Sequence, residues 1–119
     1  MKRSAMAILG LCLLAGVAHA EAEAKKFLQD YASAAAAQKQ RMLDDLSYIE
    51  LGMSWVNVLL AEDRQERPLY CPANTLHVTG EQLLGILKKE VEASPDEGSR
   101  PFGLALMLGL KKTFPCPPK

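Results

Sequence analysis

The chain has 119 residues, 49% of them apolar, and its 14 basic and 14 acidic side chains cancel at neutral pH. That length holds one small domain. The balanced charge, with no basic stripe, excludes the electrostatic footprint of nucleic-acid binding, and no second long apolar segment follows the N-terminal one to act as a membrane span.

The first element reads as an export signal. Lys2 and Arg3 precede the almost wholly apolar stretch from Ala5 to Val17, and Ala18-His19-Ala20 has the small-x-small form of a cleavage site. The apolar run of about 13 residues is shorter than the roughly 20 that a spanning helix needs. Leu11, directly before Cys12, does not suit a lipid-attachment site. Residues 1–20 are therefore expected to be removed as a signal peptide, leaving one domain over 21–119 in the periplasm. Without Lys2 and Arg3 that domain carries a net charge of about −2. Of the three cysteines, Cys71 and Cys116 remain, each followed by proline. Two cysteines in an oxidising compartment predict one disulfide. The loop it closes, about 46 residues, is worth roughly 4 kcal/mol in the chain-entropy view.

The apolar spacing then predicts helices in order. The first covers about Ala22 to Leu43, with Leu28, Tyr31, Ala35 and Met42 on one face. The second covers about Asp44 to Glu62. Leu46, Ile49, Met53, Val56 and Leu60 form one stripe, and Tyr48, Gly52, Trp55 and Leu59 form another beside it, which predicts a central helix. Gly52 costs about 1 kcal/mol of helix propensity relative to alanine. Close approach of a neighbouring backbone is the expected compensation, so Gly52 and Trp55 are assigned structural roles. A charged loop, Asp63 to Pro68, follows, and Tyr70-Cys71-Pro72-Ala73-Asn74 continues it.

Thr79 and Gln82 have the T-x-x-Q spacing of a capping box, flanked by Val78 and Leu83 at the positions of a hydrophobic staple. In the helix they open, Leu83, Leu84, Leu87 and Val91 are expected to face inward and Lys88, Lys89, Glu90 and Glu92 to face water. Ser94-Pro95-Asp96-Glu97-Gly98 ends it in a turn. Ser99 is the expected cap of the last helix, with Pro101 in its first turn. That helix is strongly apolar from Phe102 to Leu110, and Lys111 and Lys112 suit its negative end. The expected fold is all-α: a small single-domain bundle of about four helices stapled by one disulfide.

Chemistry-bearing residues are sparse. His77 is the one histidine outside the signal, and a lone histidine before a capped helix is ordinarily a surface residue. Cys71, His77 and Cys116 would supply three zinc ligands, a reading outweighed by the disulfide in an oxidising compartment. The redox spacing C-x-x-C is missing, as are a nucleophile elbow and a glycine-rich phosphate loop. Asp44 and Asp45 are adjacent on a helix and point apart. The chain is expected to be no enzyme and to hold neither metal nor cofactor.

The ordered set Tyr48-Ile49-x-x-Gly52, Cys71-Pro72, Val78-Thr79-x-x-Gln82-Leu83, Ser94-Pro95 and Phe114-Pro115-Cys116-Pro117 resembles the Rap/Tai group, small periplasmic immunity proteins associated with type VI secretion. The resemblance spans roughly residues 46 to 117. It departs from the group's pattern in placing glycine fourth after Tyr48 instead of third, and in having no second cysteine pair. It implies an all-α fold, a Cys71–Cys116 disulfide, and a protein that binds and blocks a peptidoglycan amidase delivered by rival or sister cells.

An inhibitor needs rigid backing and an exposed polar loop. Two loops qualify: Glu62 to Arg67, with Glu62, Asp63, Arg64 and Glu66 as partner-binding residues, and Asp96 to Arg100, with Asp96 and Glu97. A periplasmic acid-stress chaperone, exposing apolar surface as its acids lose charge, and an envelope protein with another partner are the competing classes. A homodimer is a further expectation, because the apolar last helix must be central or shared.

Overall fold

The computed structural model describes residues 22–73 and 76–118, so the expected signal peptide lies outside it. The local signals around residue 79 act as written. The Thr79 hydroxyl accepts from the Gln82 backbone N–H at 3.3 Å, and the Gln82 side chain accepts from the Thr79 N–H at 2.9 Å. This capping box opens helix α3, Gly80–Ala93. Val78 and Leu83 beside it are both buried. The other helices are α1, Ala24–Ser33; α2, Ala36–Val58, prolonged by one π-helical turn over Leu59–Asp63; and α4, Phe102–Thr113. A 3₁₀ turn, Pro95–Ser99, joins α3 to α4. The fold is all-α, with four helices among the described residues and a disulfide between Cys71 and Cys116.

The boundary expected at residues 43 and 44 falls instead at Ala34 and Ala35, whose ψ angles of 151° and 158° are extended. The cause is tertiary. Ala24 N–H donates to the Arg100 carbonyl at 2.8 Å, and Phe102 N–H donates to Ala22 at 3.0 Å. Phe27 and Phe102 stack with centroids 4.3 Å apart. These contacts fix α1 at the start of α4, and the chain must turn to lay α2 along α3. Alanine is the strongest helix former, so the break runs against local propensity and is imposed by these tertiary contacts.

Helices α3 and α4 pack on each other more extensively than any other pair and form the centre of the bundle. Leu106 and Leu110 from α4, Leu83 and Leu87 from α3 and Leu46 from α2 are fully enclosed. Each contributes about 1.5–3 kcal/mol of burial. The expectation that α2 would be central is corrected. Only its Leu46, Ile49 and Met53 face meets the core, while Tyr48 and Trp55 are 72% and 67% exposed.

Gly52 is likewise corrected: a Cβ built there meets nothing within 4 Å. The close approaches lie at two other glycines. A Cβ at Gly80 would sit 2.9 Å from Leu43 Cβ and 3.0 Å from the Leu43 carbonyl oxygen, and one at Gly109 would sit 2.8 Å from Ile86 Cγ2. Gly80 thus seats α3 on α2, and Gly109 seats α4 on α3. Gly109→Ala is expected to lower stability by about 1–3 kcal/mol through overpacking, despite alanine's better helix propensity. Urea unfolding measures it, and an unchanged midpoint would show that Ile86 moves aside freely.

The tight α3–α4 seam also covers Glu90. That residue, expected in water, is 4% exposed and receives a hydrogen bond from Lys112 Nζ at 2.6 Å, so the pair ties the two helices. Ser99 does not cap α4. Its hydroxyl donates to the Asp96 carbonyl at 2.8 Å within the 3₁₀ turn, and Pro101 takes the N-cap position.

Candidate partner-binding surface

Between α2 and α3 the chain has to return along α2 in irregular form, and irregular backbone near a core needs partners. Asn57 supplies them. Its side-chain amide donates to the Tyr70 carbonyl at 3.0 Å, and its oxygen accepts from Leu69 N–H at 2.7 Å. Tyr70 turns inward, is 1% exposed, and donates its hydroxyl to Glu50 Oε1 at 2.8 Å. Burial, then that hydrogen bond and the Glu50 charge, push the phenol pKa well above its ordinary value.

The next residue, Cys71, is bonded to Cys116, with Cα atoms 4.8 Å apart. Cys71 N–H donates to Phe114 O at 2.8 Å. The Arg67 guanidinium donates to the carbonyls of Cys116 and Pro117. The return segment is therefore pinned on one side to α2 and on the other to the chain after α4.

The result is an open groove of about 840 Å³. Tyr48, Leu51, Ser54 and Val58 form one wall, and Pro68, Cys71, Leu76 and His77 form the other. Tyr70 and Asn57 lie at its inner side. Leu51, Val58 and Leu76 each leave two-fifths or more of their surface in water. Apolar walls with a few placed polar groups describe a binding groove, and an exposed tyrosine such as Tyr48 on its wall is a side chain of the kind that anchors protein interfaces.

The predicted partner-binding residues divide. Glu62 lines one end of the groove, with Asp63 in the same π turn. Arg64 and Glu66 follow and are exposed; Gln65 between them has φ 53°, a left-handed conformation that turns the chain sharply. Asp96 and Glu97 belong to the 3₁₀ turn, which packs on α1, α3 and α4 and makes no contact with the π turn. Glu97 is largely enclosed and pairs with Arg100 Nε at 3.0 Å. The two acidic loops are not one surface.

Sequence reasoning missed Asn57 and the Tyr70–Glu50 pair. A polar amide between Val56 and Val58, in register with the core-facing Leu46 and Met53, was the available signal: such a residue must satisfy something inside. Both sulfurs of the weighed zinc set are spent on each other, and among the described residues no cluster of three or more metal-ligating side chains occurs. No described helix is long and apolar enough to cross a membrane. Comparison with family models, curated proteins and solved structures finds no match for the chain.

Proposed function

We propose that this protein is a periplasmic immunity-type binding protein that occludes the active site of a peptidoglycan amidase effector of type VI secretion. The observation that carries the binding role is the groove: an apolar, open cleft on a frame braced by a disulfide and by Asn57, with the Glu62 carboxylate at its end. Preorganised backing lowers the ordering cost of association. The amidase as target comes from the Rap/Tai resemblance of the motif set. In this reading a projecting element of the toxin enters the groove, and Glu62 and Asp63 meet cationic or histidine groups around the toxin's active site.

Co-expression tests it. The full gene is expressed with the exported product of the adjacent gene, and lysis is followed. Rescue that is lost on deleting residues 1–20, and weakened by Leu76→Glu or by Glu62→Lys with Asp63→Lys, is the expected result. Lysis unaffected by the protein, or a harmless neighbour, sinks the immunity role. Suppression of client aggregation at strongly acidic pH by the same purified protein would then favour the chaperone reading.

A further inference from the structure

A second, smaller hollow of about 340 Å³ adjoins the groove and shares only Leu76 and Val78 with it. Its other apolar walls are Ile86 of α3 and Phe114, just beyond α4. The hollow owes its opening to a missing side chain. Gly85 lines it, is exposed, and has nothing within 4 Å of where a Cβ would stand. Glycine is unfavourable in a helix interior. Here its φ is not positive and no neighbour crowds it, so neither backbone nor packing calls for it. Any larger residue at this position would project into the space that glycine leaves clear.

We propose that this hollow binds a small amphipathic monocarboxylate, its apolar body over Gly85 and its carboxylate on Lys89. The polar groups at the rim define the charge of the ligand. Lys89 lines the hollow one turn beyond Gly85, on the same face of α3. The neighbouring cations Lys88 and Lys112 are paired with Glu92 and Glu90, whereas Lys89 has no acidic partner among the described residues. Gln82, also on the rim, has its side-chain oxygen occupied by the Thr79 N–H, which leaves its NH2 group to donate. The Thr113 hydroxyl adds a donor from the end of α4. No acidic side chain lines the hollow. Donors without acceptors, gathered at one edge of apolar walls, select an anion with an apolar body over a cation or a sugar.

Size narrows the class. At about 30 Å³ for a water-sized group, the hollow has room for roughly ten non-hydrogen atoms, a chain of about eight carbons ending in a carboxylate.

The site is independent of the immunity reading: its measurement needs no toxin, and the variants below lie outside the groove. The full gene is expressed, and the purified product is titrated with octanoate. Amide NMR shifts over residues 82–89 report binding, and circular dichroism checks the fold. Saturable shifts with a Kd of about 1 mM or tighter are expected. Gly85→Leu fills the hollow with a better helix former, so it should keep or raise the melting temperature and abolish saturation. Lys89→Gln should weaken octanoate binding by about tenfold. Lys89→Glu should reverse the preference, so that octylamine binds and octanoate does not. Absence of saturable shifts overturns the proposal, as does octanoate binding indifferent to Gly85→Leu, or octylamine binding to the wild type as tight as that of octanoate. Saturation by a short peptide ending in leucine, but not by octanoate, would assign the hollow to the C-terminus of a protein chain instead.

Discussion

Replacing Cys71 and Cys116 together with serine is expected to lower the stability of the protein by about 4 kcal/mol, because the bond closes a loop whose ends are 45 residues apart in sequence. That loss rivals the whole net stability of a small domain. It will be felt unevenly. The helices α1, α3 and α4 hold each other through Leu83, Leu87, Leu106 and Leu110, none of which touches the sulfurs' anchoring role. The return segment depends on fewer contacts: Asn57, the Cys71–Phe114 backbone bond and Arg67 on the C-terminal carbonyls. Hydrogen exchange of the double serine variant should therefore rise first in residues 67–73 and 114–118, before the helices. A fall in the urea midpoint with uniform loss of protection would mean that the bond braces the whole bundle. An unchanged midpoint would deny that it stabilises the fold at all. If the groove serves binding, the same variant should protect poorly from the toxin at temperatures where its helices remain folded.

What the sequence discloses and what it conceals divide by range. The Thr79–Gln82 cap was legible because its partners lie three residues apart and each carries the group the other needs. The cysteine pair was legible by count once Cys12 was assigned to the expected signal peptide. The helix break at Ala34 and Ala35 was not, because its cause is Phe27 on Phe102 and the Ala24–Arg100 hydrogen bond, contacts more than 70 residues long. In α2 both stripes are apolar, so periodicity gave no basis for choosing which one meets the core. Glycine posed the same problem: Gly52, Gly80 and Gly109 look alike in the chain, and only the packed helices distinguish open space from contact with Leu43 or Ile86. The groove is a product of tertiary placement throughout. Its walls come from α2 and from a segment about 20 residues later that has no periodicity of its own.

Tyr70→Ala is expected to cost about 3–5 kcal/mol, the range for truncating a large buried aromatic. Tyr70 is the largest fully enclosed side chain and belongs to the same core as Leu46 and Leu83. Tyr70→Phe separates the ring from the hydroxyl. It keeps the packing and removes the donor to Glu50, for an expected cost of about 1–2 kcal/mol. Its pH dependence is the sharper signature. The folded protein holds the phenol proton above the ordinary pKa, through burial first and Glu50 second. The unfolded chain releases it near pH 10. Above that pH the native state binds more protons than the unfolded state, so stability contributed by this group is intact below about 10 and falls as pH rises further, by at most about 1.4 kcal/mol per unit. Urea unfolding of the wild type at about pH 8 and about pH 11 should show that loss, and Tyr70→Phe should lack it. Equal alkaline losses in the two proteins would mean that Tyr70 opens to solvent before it ionises. The groove's inner side would then be mobile, and the rigid backing on which the binding proposal rests would have to come from the disulfide and Asn57 alone.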